Sequence, residues 1–502
     1  MKTNTKTVHP EIAIQSWLRP ALNPVFANKD HAEFSRILAD ADRLLSECGL
    51  ETAAADLAAE KLAREEPEAA AADFARQAVF AVKALRFGVL KMLLGNPSFR
   101  QLAVRVGDSD RLADFCRLRE IDRVRGTSKS TLHRLFRLFD EDEITAFHQR
   151  LTEVLGTAET AAQAGLENPL DTSVNLADGT CVEANIHFPV DWTLLRDAAL
   201  TLLKAVLLIR REGLLCRMPQ SPETFIGDMN ALCVEMTHSR RRSDGRKRRK
   251  KILRRMKSLL TTIAGHARRH RDLLEKHPEA VSWSEAQTRA AAARIERMLE
   301  KVPLVIRQAH ERLIGERQVP NANKILSLHE EDIHVIVRGK AGKEVEFGNT
   351  LFLCENAQGY ILDWKLYRES APCESDQLAE SLERQNRLQV DGEIEIVCAD
   401  RGFGTAKTRR RLEEAGIYDA TCPRDPRQLE ERMGENLFTR LQKRRGSTEG
   451  RIAILRQKQG RRLRDKGFAA RAAAVGWSVL SHNLWLVSRL LAQQDADAAK
   501  AA

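Results

Sequence analysis

The stretch Ile394-Glu395-Ile396-Val397-Cys398-Ala399-Asp400-Arg401-Gly402-Phe403-Gly404 decides the fold. Its first six residues are short, mostly apolar and β-branched, the signature of a buried strand. Asp400 closes that strand, and the glycines after it mark a turn. A second strand-like stretch, Val174-Asn175-Leu176-Ala177, runs into Asp178-Gly179-Thr180 and on to about Ile186. Far downstream, Arg445-Gly446-Ser447-Thr448-Glu449 opens a helical pattern. Two aspartates at strand ends and a glutamate on a late basic helix suit a two-metal phosphoryl-transfer site. Singly, each acid has a plainer reading. Asp178 and Asp400 can cap turns with Gly179 and Gly402, and Glu449 can pair with Arg445 or Arg456.

Outward from these strands the elements alternate. Strand patterns occupy 324–328, 333–337, 345–354 and 360–366, with Ala357-Gln358-Gly359 as the turn between the last two. A helix follows, then the Asp400 strand, a helix over 405–415, a short strand at 418–422 and C-terminal helices. Between the Asp178 strand and this series lies a long helical stretch, roughly 192–318. Without it the order is strand, strands, helix, strand, helix, strand, helix. That order predicts an α/β fold with a ribonuclease H-like catalytic core and a large helical insertion. The expected segments are a helical region over 1–165, core over 166–191, a basic helical insertion over 192–320, the rest of the core over 321–490 and a disordered tail over 491–502.

The chain has 502 residues, enough for several cores. Lys and Arg number 81 against 70 Asp and Glu, a surplus of 11 that favours a polyanionic partner. The densest charge run is Arg240-Arg241-Arg242-Ser243-Asp244-Gly245-Arg246-Lys247-Arg248-Arg249-Lys250-Lys251. One acid cannot neutralise so many bases, which points to phosphate contact at Arg246, Lys247, Arg248 and Arg249. A solvated basic loop and a nuclear-localisation run are the alternatives. Nine scattered cysteines without a CxxC pair suggest reduced, buried thiols in a cytosolic protein. The most apolar segment, 198–209, is too short to span a bilayer, and no signal peptide opens the chain. At 5% aromatic residues, base stacking is not expected to dominate nucleic-acid binding.

Short helical patterns over 99–106 and 110–118 precede Gly126-Thr127-Ser128, with Ser128 as an N-cap. The next helix sets Leu132, Leu135, Phe136 and Phe139 at i, i+3, i+4, i+7, and carries Lys129, His133, Arg134 and Arg137 on its other side. Short helices ending in one with a basic outer face suggest a helix-turn-helix that contacts DNA through Lys129, Arg134 and Arg137. A plain helical bundle with a solvated cationic face gives the same pattern.

Two Mg²⁺ ions about 4 Å apart neutralise the attacking and leaving oxygens in phosphodiester chemistry, and hard oxygen ligands suit them. Asp178 is expected to bridge both ions, with Asp400 on one and Glu449 on the other. Arg445, Glu449, Ile452 and Arg456 fall on one helix face. Arg445 and Arg456 would then flank the carboxylate and hold DNA phosphates; Arg401 and Phe403 beside Asp400 could meet a phosphate or a displaced base, and a simple turn role fits them equally. Glu183, Asp191, Asp363 and Asp376 are competing acids.

At these residues the chain resembles bacterial insertion-sequence DDE transposases, most closely the ISNCY type. The likeness rests on residues 177–191 around Asp178, on Gly339-Lys340-Ala341-Gly342 with Glu346-Phe347-Gly348, on Ala399-Asp400-Arg401-Gly402-Phe403, and on Gly476-Trp477-Ser478-Val479-Leu480-Ser481-His482-Asn483-Leu484. Many such enzymes carry Tyr-x2-Arg-x3-Glu-x6-Lys around the third acid. Here those positions hold Gln442, Arg445, Glu449 and Arg456, so Arg and Glu match, Gln replaces Tyr and Arg replaces Lys. The resemblance implies binding of terminal inverted repeats, metal-dependent strand cleavage and strand transfer into target DNA. It also implies two Mg²⁺ ions per site with Mn²⁺ as a substitute, a homodimer or larger synaptic assembly, and a cytoplasmic, nucleoid-associated bacterial location without membrane contact. The alternatives are a ribonuclease H-like nuclease without strand transfer and a DNA-binding relic without catalysis.

Overall fold

The computed structural model describes residues 28–239, 244–340, 343–459, 463 and 465–501. Residues 1–27, the first part of the basic run at 240–243, and Ala341 with Gly342 lie outside the described residues. In chain order the helices and strands are α1 Lys29–Glu47, α2 Leu50–Glu65, α3 Ala71–Leu93, α4 Phe99–Gly107, α5 Asp110–Phe115, α6 Glu120–Arg125, α7 Lys129–Phe136, α8 Glu141–Gly156, α9 Ala158–Gln163, β1 Val174–Glu183, α10 Asp191–Arg211, α11 Pro222–His238, α12 Gly245–Lys276, α13 Glu285–Leu313, β2 His334–Lys340, β3 Lys343–Glu355, β4 Ile361–Leu366, α14 Glu374–Gln385, β5 Ile396–Ala399, α15 Ala406–Glu414, β6 Tyr418–Asp419, α16 Pro426–Met433, α17 Asn436–Gln459 and α18 Phe468–Ala501. The fold is mixed α/β. The chain forms two compact units, one of residues 1–182 with 350–502 and one of residues 183–349.

In the first unit the strands run in the order β3-β1-β5-β6, with β4 on the far side of β3. Strand β1 pairs in parallel with β5, and β5 in parallel with β6; β4 pairs antiparallel with β3. Because side chains alternate along a strand, β1 and β5 each feed two cores. Ala177, Val397 and Ala399 face Leu378 of α14, Phe403 and Leu412 of α15. Leu176 and Cys398 face the other way, onto Phe438 and Leu441 of α17. The same alternation puts Asp178 and Asp400 on the α17 side.

The N-terminal helices are not a separate body. Leu38, Leu85, Phe115, Leu135 and Phe147 share one core with Leu353, Trp364 and Trp477. Expected limits at 165 and 166 therefore fall inside a single packing unit. Caps set the helix starts as their side chains dictate. Ser98 and Gln101 form a capping box on α4, Asp140 and Glu143 another on α8, and the Ser128 hydroxyl accepts from the Thr131 N–H to start α7. The helix expected over 110–118 is α5, which ends at Phe115, and a further helix that the sequence did not suggest, α6, follows it. Helix α6 has no buried residue and stands between α5 and α7, so the segment departs from a simple helix-turn-helix.

The second unit is helical, with α10 to α13 around Leu195, Leu202, Val206, Met256, Leu260, Ile263 and Ile295. It also contains β2 and the start of β3, which the sequence assigned to the core. Residues 324–328 are outside the sheet. The side-chain amide of Gln308 donates to the Ile325 carbonyl and accepts from its N–H, replacing the ladder partners a strand would need. Residues 491–501 continue α18 instead of forming a disordered tail.

All nine cysteines are free thiols, and only Cys373 is exposed. Burial pushes Cys48 up to about 11 and Cys398 up to about 12. No helix among the described residues is long and apolar enough to cross a membrane.

Candidate active site

Asp178 lies inside β1, five residues before its end, and not at a strand end as expected. β5 ends at Ala399, opposite Ala177, so past Asp178 its ladder with β1 stops and β3 is the neighbour that remains. Asp400 does follow the last residue of its strand. Its Oδ1 accepts from the Gly402 N–H at 2.9 Å, and its carbonyl accepts from the Phe403 N–H at 3.2 Å, which turns the chain. The parallel register pairs Ala177 with Ala399. Asp178 and Asp400 are the next residues along these adjacent strands, which are spaced by ~4.8 Å.

Helix α17 brings the third acid. It starts at Asn436, well before the residues that the sequence took as its opening, so Glu449 is in mid-helix. Three attachments fix how α17 lies on the sheet. Gln442 Nε2 donates to the carbonyls of Ala420, at 2.7 Å, and Ala399, at 3.2 Å. The residue standing at the signature's tyrosine position is thus a clip onto the ends of β5 and β6. At the tip of β3, the Glu355 carboxylate is 2% exposed and accepts from Thr448 Oγ1 at 2.8 Å, Arg451 Nε at 3.1 Å and Arg444 Nη1 at 3.4 Å. Further along, Arg456 Nη2 donates to Thr180 Oγ1 at 2.7 Å and to the Cys181 carbonyl at 2.9 Å.

With α17 so held, Glu449 is exposed while its neighbour Thr448 is buried. The electrostatics of Asp178 bring the candidates together. Its carboxyl is raised to about 6, chiefly by burial and in smaller part by the charges of Asp400 and Glu449, against the Gly179 N–H and Arg445. A buried carboxylate near two others, with one arginine close by, is an anionic centre short of cations. Its donors are all hard oxygens, which suits Mg²⁺ or Mn²⁺. Among the described residues, however, no group of three or more His, Cys, Asp or Glu side chains is placed to hold a metal ion. The three acids share a field, not a closed coordination sphere.

Other expected residues separate into groups. Arg445 is half-buried, within the field of Asp178, and its Nε donates to Gln442 Oε1 at 3.3 Å. Arg456 ties α17 to β1 through its Nη2. Arg401 is exposed, whereas Phe403 is fully buried against Phe352 and cannot meet a base. Lys129, Arg134 and Arg137 are all exposed on or beside α7. In the second unit Arg246 pairs with Glu316, and Arg248 with Glu235 at 3.0 Å. Arg249 Nε donates to the Gly245 carbonyl, and Lys247 is exposed.

Three competing acids are occupied elsewhere. Asp363 is held by both ends of the Arg384 fork. Asp191 accepts from Gln308 and Arg312, and Asp376 lies with Lys407. Glu183 closes β1. Sequence reasoning missed Glu355, Arg444, Arg451 and Arg424. Arg424 donates to the carbonyls of Arg401 and Gly402 at 3.0 and 2.8 Å and braces the turn after Asp400. The i, i+4, i+7 spacing of Arg444, Thr448 and Arg451 was the available signal for an acid beneath that face.

Comparison with protein-family models, curated proteins and solved structures gives no match to this chain.

Proposed function

We propose that this chain is a DDE transposase, a metal-dependent enzyme that cleaves DNA at the ends of an insertion sequence and joins them to target DNA. The observation that carries the reading is the β1–β5 register. It sets Asp178 beside Asp400 on the sheet face covered by α17, whose Glu449 charge reaches Asp178. The succession of elements once α10–α13 are removed supports a ribonuclease H-like core.

In this reading Asp178, Asp400 and Glu449 would hold two Mg²⁺ ions, with Mn²⁺ as a substitute. Bound there, the ions would supply positive charge to the attacking and leaving oxygens. The chain's own residues do the rest. Gln442, Glu355 and Arg456 hold α17, and Glu449 with it, against the sheet. Arg445 offers a cation to a phosphate entering beside Asp178. Arg401, Lys129 and Arg134 on α7, and Arg137 just after it, face solvent where duplex DNA can meet them. Joining two ends requires at least a dimer.

The test is cleavage and joining of a labelled duplex carrying the element's own terminal repeat, in Mg²⁺ or EDTA. Asp178→Ala, Asp400→Ala and Glu449→Ala should each lose both products and keep end binding. Nicking without joining by the wild type would favour a nuclease, and intact chemistry in any of the three variants would remove that acid from the site.

A further inference from the structure

The basic run continues into α12, and the structure sorts its cations into two kinds. Arg246 and Lys250 share Glu316, while Arg248 and Arg255 share Glu235. Lys247, Lys251, Arg254 and Arg268 are exposed and make no ion pair among the described residues. At 100° per residue these four fall within one arc together with Ser258, Thr261, Thr262 and Gly265. The opposite arc carries Met256, Leu260, Ile263 and Ala267, buried in the helical unit. Within α12 the outer face therefore presents cations, hydroxyls and an open glycine up to Asp272, with the exposed N-cap Asp244 at the start of the same arc.

We propose that this outer face of α12 is a track for the phosphate backbone of duplex DNA. The choice of DNA over other polyanions rests on the transposase reading. Cations and hydroxyls are the groups that contact phosphate oxygens. The stripe holds no apolar side chain to enter a bilayer and no aromatic ring to stack an unpaired base. From Lys247 to Arg268 the helix rises about 32 Å, close to the ~34 Å turn of a duplex. Its two cationic ends are thus spaced to meet successive passages of one backbone. The binding residues are then Lys247, Lys251, Arg254 and Arg268, while Arg246 and Arg248 are engaged internally.

The test is the salt dependence of binding to a 40-base-pair duplex of arbitrary sequence, in EDTA, with the full chain. Replacing Lys247, Lys251 and Arg254 together by Gln should reduce the slope of log K against log salt by about 2.7, at ~0.9 for each phosphate no longer neutralised. A control removing equal charge from α13, Arg294→Gln with Arg297→Gln and Arg307→Gln, should change it by less than about 1. An unchanged slope in the first variant, or equal reductions in both, would overturn the proposal, as would tighter binding of an RNA duplex than of the DNA. Because EDTA removes the chemistry, failure here leaves the carboxylate assignment standing, and loss of that assignment leaves this slope unaffected.

Discussion

Asp178 concentrates the physical argument at the residue scale. Its folded carboxyl is raised to about 6 chiefly by burial, against about 3.9 in an unfolded chain. The native state therefore holds the proton more tightly. The resulting stability is complete below about pH 4 and is lost as pH rises through 6. Above pH 7 the buried charge destabilises the metal-free protein by about 3 kcal/mol. Asp178→Asn should then be more stable than wild type in EDTA at pH 8, by roughly that amount, with the gap closing towards pH 4. Mg²⁺ should raise the wild-type midpoint at pH 8 and move the variant's less. Denaturant titrations at the two pH values decide this, and a wild type that gains nothing from Mg²⁺ would count against a cation at Asp178. Both aspartates were legible in the sequence because a carboxylate within or after an apolar run stands out. For Phe403 the sequence left a contact role and a turn role open, and its burial favours the turn; the residues of a turn do not say which side chain the core takes.

Among the elements, α17 has one buried acid, Glu355, among its three attachments. Glu355→Gln would leave Arg444 and Arg451 without a counter-charge, at a cost of about 3 kcal/mol. The expected result is a lower midpoint and faster hydrogen exchange across 436–459; wild-type exchange there would show that Gln442 and Arg456 suffice. The sheet edge at β4 is managed differently. The side-chain amide of Asn483 on α18 accepts from the Ile361 N–H at 3.0 Å and donates to its carbonyl at 2.9 Å, and His148 also reaches that carbonyl. This gives the His482-Asn483 part of the C-terminal motif a structural task, closing an exposed edge. Asn483→Ala should cost about 2 kcal/mol in a thermal melt, because a buried N–H is orphaned. Strand and helix order was readable from periodicity. The clamps were not, because Glu355 and Asn483 lie far in sequence from the groups they satisfy.

For the molecule as a whole, the boundary between the two units falls within β1 and β3. Each unit has its own core. Leu260→Ala, at a site with no exposure, should lower protection in α12 and α13 by about 3 kcal/mol while leaving α8 and α18 much less affected. Hydrogen exchange read by peptide resolves the two, and equal loss in both would mean that they open together. The insertion was visible in the sequence as a long helical interruption. Its limits were not, since strand patterns at 333–337 and 345–354 carry no mark of which core they join. Nor could the sequence show that α1–α9 merge with the strand-bearing half, because that depends on Trp477 and Trp364 meeting Phe147 and Leu85 across the chain.

The thiols offer a final consequence. Eight of the nine cysteines are withdrawn to some degree, and Cys373 alone is exposed, at the N-cap of α14. The next residue, Glu374, lies against Gly402 in the turn after Asp400. A maleimide dye added to the unaltered protein would therefore settle mainly at one address, a short step from the candidate site. Its emission would give an optical readout of events there without engineering a single substitution.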